Sequence, residues 1–192
     1  MITEAAAVLD FWFGAPDHPE RGTARVMWFR KDPTFDEAIR VEFGDAVHRA
    51  LAGGYGEWCH EAQGALARVL LLDQFTRNIF RDTPRAFAGD ARALATAEDA
   101  IARGFDHALD HHGRWFMYLP FEHSEDVAIQ HRSIELFSAL SRDTGDADPL
   151  HWAQKHADIV LRFGRYPHRN AILGRASTPE EIAFLVEPGS RF

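Results

Sequence analysis

The sequence has little cysteine and no long apolar run. Its single cysteine, Cys59, excludes an internal disulfide and is typical of a protein from a reducing compartment. No apolar stretch approaches the roughly 18 residues that a membrane-spanning helix needs. The N-terminal stretch MITEAAAVLDFWFG carries Glu4 and Asp10 and lacks the basic start of a signal peptide. We therefore expect a cytoplasmic protein with no membrane partner.

Positive charge is also scarce, and nearly all of it is arginine. The formal net charge is -8 at pH 7, which argues against broad contact with nucleic-acid phosphates. Lysine occurs only at Lys31 and Lys155. The planar fork of arginine suits carboxylates and phosphates, although the codon bias of a GC-rich genome explains the same preference. We expect neither a nucleic-acid partner nor a cofactor, and the sequence does not define an oligomeric state.

Strand patterns are missing, and helix signals replace them. Thr3, Asp32-Pro33 and Thr178-Pro179-Glu180-Glu181 each have the composition of a helix start. Apolar residues recur at spacing four between residues 35 and 51, as in an amphipathic helix. A chain of 192 residues is long enough to bury one substantial core. These features predict an all-α fold, a single domain over residues 1–192 with about seven helices and short turns.

Two of the predicted helices end alike, in ALAGGY at Tyr55 and in AIARGF at Phe105. Such a recurrence favours stacked helical pairs of the tetratricopeptide type. Shared helix-ending chemistry explains it equally well. Between these helices and the C-terminal part, we expect a loop with the solvent-facing histidines His107, His111 and His112, a single turn at Trp115–Leu119, and a helix capped by Ser124.

The first of three polar stretches is DQFTRNIFR, residues 73–81. On a helix, Asp73, Arg77 and Arg81 stack on one face, and Gln74 and Asn78 stack beside them. Because the flanking residues are apolar, this strip is predicted to face a cavity or a neighbouring helix. The alternative is an ordinary ion pair on a solvated surface.

The second stretch is PFEHSED, residues 120–126. A helix start here accounts for Glu125 and Asp126, since the helix dipole favours carboxylates at that end. It does not account for Glu122 and His123. A metal site would use these two with Asp126 and His131, but their spacing fits no established ligand pattern, so no metal site is predicted.

The third stretch is LRFGRYPHRNAILGR, residues 161–175. From Asp158 to Glu180 the intervening residues include four arginines and one histidine but no carboxylate. Pro167 forces an extended backbone before it, so an irregular segment can bring several basic side chains together at a turn. We predict a polar, anion-binding centre built from all three stretches: Asp73, Gln74, Arg77, Asn78, Arg81, Glu122, His123, Arg162, Arg165, His168, Arg169 and Asn170.

Three motifs, LLLDQFTRN, LPFEHSED and RFGRYPHRNAILGRASTPEE, together with VLDFWFG and Trp28-Phe29, resemble those of a bacterial family of uncharacterised proteins, domain of unknown function 924. The resemblance spans nearly the whole chain. It implies an all-helical, tetratricopeptide-like fold. It implies no activity and therefore no catalytic residues.

Three functions are compatible with these residues. The favoured one is a binding module that holds an anionic small molecule or peptide in the arginine- and histidine-lined centre. The second is a structural or interaction protein, in which arginine–carboxylate pairs only lock the helices. That alternative predicts Arg165 and Arg169 paired with Glu122 or Asp126, and an arginine of the first stretch paired with Asp73.

The third function is an enzyme. A histidine, His123 or His168, would act as general acid or base beside Glu122 or Glu125, with the arginines holding an anionic substrate. This hypothesis requires a histidine and a carboxylate within hydrogen-bond distance.

Overall fold

The computed structural model describes residues 3–190. Its secondary structure is helical, with no strand among these residues, which confirms the all-α prediction. Short 3-10 turns join several of the helices. The helices are α1 (Glu4–Phe13), α2 (Pro33–Leu51), α3 (Ala62–Leu70), α4 (Thr76–Ile79), α5 (Asp90–Ala102), α6 (His111–Glu122), α7 (Val127–Thr144), α8 (Asp148–Phe163) and α9 (Pro179–Leu185).

The described chain divides into two compact units. Unit 1 contains the residues up to Arg81 together with Arg85–Pro120. Unit 2 contains Asp82–Pro84 and the residues from Phe121 onward. That both units belong to one domain, as predicted for residues 1–192, stays a prediction.

The helix starts follow the capping chemistry of the sequence. The Thr3 hydroxyl accepts the Ala6 N–H at 3.2 Å, and Asp32 caps α2. At α9, the Thr178 hydroxyl accepts the Glu181 N–H while the Glu181 carboxylate accepts the Thr178 N–H, which is a complete capping box. Each arrangement satisfies backbone donors that a helix start leaves without intrahelical partners.

Unit 1 is built around aromatic side chains. In it α1 packs on α3, α3 on α5, and α2 on α4. The Phe116 ring centroid lies 5.4 Å from that of Trp12 and 4.9 Å from that of Trp28. Trp28 is buried in a turn before α2, and its indole N–H donates to the Trp12 carbonyl at 2.9 Å. This hydrogen bond holds the segment between α1 and α2 against the core.

Helix α6 differs from the prediction. The expected single turn at Trp115–Leu119 is instead a helix that runs from His111 to Glu122 and contains Pro120. Every residue from His112 to Glu122 is buried. The sequence therefore lacks the regular alternation of apolar and polar residues by which an amphipathic helix is recognised. The proline lies in the last turn, where its missing N–H costs one intrahelical hydrogen bond. The prediction for His112 was also wrong, because this residue lies in the helix and is 8% exposed.

A π-helical turn, Leu71–Phe75, joins α3 to α4. All five of its side chains are buried. The start of α5 approaches this turn so closely that a Cβ atom at Gly89 would overlap the Leu72 carbonyl oxygen. Glycine is therefore required there. Asp73, a predicted site residue, lies within the turn.

In unit 2, α7 and α8 pack along each other. A buried cluster of Ile159, Val160 and Tyr166 packs against the half-buried Phe163 and Phe184. Across residues 3–190, every helix is too short or too polar to cross a membrane.

The cap of α7 corrects a second expectation. The N-cap is Asp126 rather than Ser124, and its carboxylate accepts the N–H groups of Ala128 at 2.7 Å and Ile129 at 3.2 Å. The Ser124 hydroxyl instead accepts the Asp126 N–H at 3.1 Å. Glu125 therefore precedes the helix, and its position needs another explanation than the helix dipole.

Candidate functional site

The predicted polar residues lie in both units. In unit 1, Asp73 pairs with Arg77 across one helical turn, with Arg77 Nη1 3.1 Å from the carboxylate. Gln74 donates to the same carboxylate at 2.6 Å. The Arg77 guanidinium also donates to both oxygens of Asp90, at 2.8 and 3.1 Å. The predicted Asp73–Arg77 pair is confirmed, and Arg77 is shared with a second carboxylate.

Arg81 and Asn78 reach a neighbouring helix. Both donate to Asp36, near the start of α2. The two Arg81 contacts and the Asn78 contact are each 2.7 Å long. The strip therefore faces protein, as expected from its apolar flanks. The carboxylate that Arg81 contacts here, Asp36, comes from α2.

In unit 2, arginines of residues 161–175 pair with carboxylates that follow them in the chain. Arg165 donates to both oxygens of Glu181, at 2.6 and 2.8 Å, and Glu181 is 2% exposed. The pKa of the Arg165 guanidinium is raised by its hydrogen bonds to Glu181. Arg162 contacts Glu180 at 3.0 Å on the surface. The predicted pairing of Arg165 with Glu122 or Asp126 is wrong, since Glu181 takes that place.

A second bidentate arginine contact, from Arg175, explains the position of Glu125. Arg175 donates to both oxygens of Glu125, at 2.6 and 2.9 Å, and the Tyr166 N–H donates to one of them at 2.8 Å. These contacts lower the pKa of Glu125 against the opposing effect of burial, with the Arg175 hydrogen bond the larger of the lowering causes. Asn170 accepts from Arg175 at 3.0 Å and donates to Glu181 at 3.2 Å. We call Glu125, Arg165, Asn170, Arg175 and Glu181 the arginine–carboxylate network.

Glu122 and His156 form a buried pair beside this network. His156 Nδ1 lies 3.1 Å from Glu122 Oε1 and 2.9 Å from the Trp152 carbonyl oxygen. The two residues are 3% and 7% exposed. Because both neighbours of Nδ1 are acceptors, Nδ1 carries the hydrogen of the neutral ring, and Nε2 is the nitrogen that can take up a proton.

Tyr166 connects this pair to the network. Its side chain is completely buried, and its hydroxyl donates to the Glu122 carbonyl and accepts from Gln130 Nε2, the latter at 2.9 Å. Gln130 also donates to the Glu122 carbonyl at 2.8 Å. Burial is the largest cause that raises the pKa of Tyr166, so the phenol stays protonated. The backbone at the end of α6 is thereby fixed from α7 and from the segment after α8.

Three basic side chains lie against the Tyr166 ring, and a fourth, His123, lies against one of them. The His123 ring centroid is 6.3 Å from that of His156, which is 5.7 Å from Tyr166. The His168 ring lies 5.5 Å from Tyr166, and the Arg169 guanidinium lies 4.5 Å above the same ring. We call His123, His156, His168 and Arg169 the His–Arg cluster. Three of the four were predicted as site residues.

Burial and the charges of its neighbours keep His156 neutral. Burial is the largest cause that lowers the pKa of His156 to about 3, and the charge of His123 is the next cause that lowers it. His168 and Arg169 act in the same direction, whereas the hydrogen bond to the Trp152 carbonyl opposes them. The 3.1 Å contact with Glu122 is thus made by a neutral imidazole.

Sequence reasoning missed His156, Tyr166, Glu181, Asp36 and Asp90. His156 carried one usable signal, because it falls on the buried stripe of α8 with Ala153 and Val160. A histidine on such a stripe needs a polar partner inside the protein. The other missed residues meet their partners only because the fold brings separate parts of the chain together. Among residues 3–190, no group of three or more histidine, cysteine, aspartate or glutamate side chains could hold a metal ion.

The profile of a family described as "Bacterial protein of unknown function (DUF924)" matches residues 8–189. The chain belongs to this family. A DUF924 family match over nearly the whole chain confirms the resemblance seen in the polar motifs. The fold is similar to the solved structure of ATU0120, a protein of unknown function from Agrobacterium tumefaciens, with a TM-score of 0.83 and 43% sequence identity over 95% of this chain and 96% of that one. The comparison with curated proteins gave no match.

Proposed function

We propose that this protein binds a small anionic ligand at the His–Arg cluster of unit 2. The observation that carries the proposal is a group of four basic side chains, of which three lie against the buried Tyr166 ring and the fourth, His123, lies against His156. They come from the end of α6, from α8 and from the segment that follows α8. Such charged and neutral N–H donors are the groups that carboxylate and phosphate oxygens accept from.

The ligand donors in this proposal are fewer than those expected from the sequence. Arg165 and Arg175 each make two hydrogen bonds to a carboxylate of unit 2. Arg162 also has a carboxylate partner. For these three, the structural alternative is the better account, because a bidentate pair leaves the guanidinium little capacity for a ligand. We assign anion recognition to His123, His168 and Arg169 because these side chains meet around the rings of His156 and Tyr166.

Thermal unfolding with added anions tests the proposal. Sodium phosphate, sulfate and citrate should raise the unfolding temperature of the wild type more than sodium chloride of equal ionic strength. His168→Gln and Arg169→Gln should weaken the affinity at least about tenfold, since each removes a donor worth about 1.5–3 kcal/mol when charge-assisted. Arg162→Gln is the matched control, because its partner Glu180 is exposed at the surface.

The control also removes a general salt effect. Sulfate and phosphate stabilise many proteins by exclusion from their surface, and this effect would be equal in all variants. Stabilisation that is the same in wild type, His168→Gln and Arg162→Gln would contradict the proposal.

A second candidate function is general acid–base catalysis. The 3.1 Å contact between Glu122 and His156 favours it, because it orients a neutral imidazole with Nε2 as the base. His156 joins His123 and His168, the two histidines that were predicted to act beside Glu122 or Glu125. The test is hydrolysis of a panel of phosphate and carboxylate esters by wild type and His156→Asn. Equal rates for both proteins on every ester would contradict this candidate.

We also infer a cytoplasmic location and tetratricopeptide-like helical pairs. One half-buried cysteine supports the first. The close packing of α7 on α8 supports the second. Fractionation of cells that produce the protein at native level tests the location. A tetratricopeptide-like array would also accommodate an anionic peptide, so acidic peptides belong in the ligand screen.

A further inference from the structure

We infer that an anion enters the His–Arg cluster together with a proton, which His156 takes up at Nε2. This inference rests on the proposed function and adds a regulation to it: affinity for the anion rises as the pH falls. The site would then respond to acidification as well as to ligand concentration. The groups around the imidazole determine whether it takes up this proton.

On one side of the ring, the structure holds a counter-ion for an imidazolium. Nδ1 lies 3.1 Å from Glu122 Oε1 and 2.9 Å from the Trp152 carbonyl oxygen. Both contacts become stronger when the ring is charged, because charge-assisted hydrogen bonds are about twice as strong as neutral ones. His156 therefore needs no rearrangement at Nδ1 to accept a proton at Nε2.

The other neighbours oppose that proton. His123 follows α6, and His168 and Arg169 follow α8. All three place positive charge near the ring and lower its pKa. Tyr166 adds a neutral phenol. From α7, which packs along α8, the buried side chains include Gln130, Ser133 and Phe137, none of which titrates in the acidic range.

Other charged residues of α8 itself lie away from this face. Lys155 and Asp158, which flank His156 in the sequence, are exposed. Burial is the largest cause that keeps His156 neutral, and the charges of His123, His168 and Arg169 add to it. An anion among these three residues offsets their repulsion, and Glu122 lies 3.1 Å from Nδ1, where it can stabilise the charged ring.

The sign of the effect follows from this balance. In the free protein, the pKa of His156 is about 3, so the ring is neutral near pH 6. A bound anion favours the charged ring and raises that pKa. Between the free and bound values, binding consumes up to one proton, and the affinity rises up to about tenfold for each pH unit of acidification.

Isothermal titration calorimetry with sodium sulfate measures this coupling. Sulfate keeps its charge between about pH 5 and 7, so any proton taken up goes to the protein rather than to the ligand. Titrations in buffers of different ionisation enthalpy give the number of protons bound per sulfate. We expect a fraction of a proton near pH 7 that increases toward one near pH 5.

His156→Asn keeps an amide N–H near the position of Nδ1 and cannot take up a proton. Sulfate binding to this variant should take up fewer protons than binding to the wild type, and the difference is the contribution of His156. His151→Gln is the control, because this exposed histidine lies on the same helix outside the cluster. If His156→Asn unfolds, the ¹⁵N resonances of the wild-type imidazoles give the same answer, since His156 should change to the charged form when sulfate is added.

Each outcome separates the two proposals. Sulfate binding without proton uptake overturns the coupling and leaves the binding function standing. Proton uptake that persists unchanged in His156→Asn assigns the proton to His123 or His168 and also overturns it. No binding of sulfate, phosphate or citrate at any pH overturns both.

Discussion

Replacement of Glu181 by glutamine should destabilise the protein far more than the same replacement at its neighbour Glu180. Glu181 is 2% exposed and accepts from Arg165 at 2.6 and 2.8 Å, from Asn170 at 3.2 Å and from the Thr178 N–H at 2.7 Å. Glutamine keeps the shape but offers one acceptor oxygen and no charge. It leaves the Arg165 guanidinium uncompensated.

The magnitudes follow from burial. Breaking a buried ion pair costs about 3–5 kcal/mol, and Arg165 is partly exposed, so we expect about 3 kcal/mol for Glu181→Gln. The Arg162–Glu180 pair has side chains that are 49% and 63% exposed. Pairs of that kind contribute about 0–1 kcal/mol. The difference between the two variants should therefore be about 2–3 kcal/mol.

Urea denaturation followed by circular dichroism measures both values. The Glu181→Gln midpoint should shift to lower urea at an unchanged slope, which identifies a loss of stability rather than a change in the unfolded state. Equal midpoints for the two variants, or a loss below about 1 kcal/mol for Glu181→Gln, would contradict a buried, stabilising ion pair.

Acid provides an independent check of the same pair. The hydrogen bond from Arg165 is the largest cause that lowers the pKa of Glu181 from its ordinary value of 4.5 to about 2. The stability that comes from this charge is complete above pH 4.5 and is lost as the pH falls toward 2. The gap between wild type and Glu181→Gln should therefore narrow on acidification below pH 4.5.

Three further outcomes are expected. The pKa of His156 is about 3 in the folded protein against an ordinary 6.5, so the unfolded chain takes up the proton first. As the pH falls from 6.5 toward 3, wild-type stability should therefore decrease by about 1.4 kcal/mol per pH unit relative to His156→Asn, in urea titrations at several pH values. Gly64→Ala should lower the thermal midpoint because its Cβ would overlap the Trp58 carbonyl oxygen, whereas Gly44→Ala, in an open helical position, should raise stability by about 0.5–1 kcal/mol. Tyr166→Phe should cost about 1–2 kcal/mol in the same denaturation assay, because it removes hydrogen bonds to two buried partners.

Helix starts were the part of the fold that sequence predicted best. Thr3, Asp32 and Thr178 cap the helices expected of them, because capping depends on a few adjacent residues. Ser124 misled the prediction of α7, since a serine that accepts an N–H two residues later resembles a cap. Helix α6 was missed because it is buried on every side and has no periodic pattern.

The candidate site was predicted in the same uneven way. Asp73 and Arg77 were paired correctly, because their separation along one helix determines the contact. The partner of Arg165 was not, because the Glu181 contact depends on how the segment after α8 folds back toward α9. The packing of α8 places His156 against Glu122, and this contact could not be predicted from the sequence. The sequence identified which side chains were unusual, and the fold decided which of them meet.

The arginine–carboxylate network has a consequence for proteolysis. Residues 164–178 contain no α-helix, and irregular arginine-rich segments are ordinarily early targets of trypsin. Here the guanidinium groups of Arg165 and Arg175 are engaged by carboxylates and by the backbone carbonyls of Ala176 and Tyr166. A protease must first break these contacts to reach the bonds that follow both arginines. Cleavage in this segment will therefore report local opening of unit 2, and its rate gives the free energy that holds the segment closed.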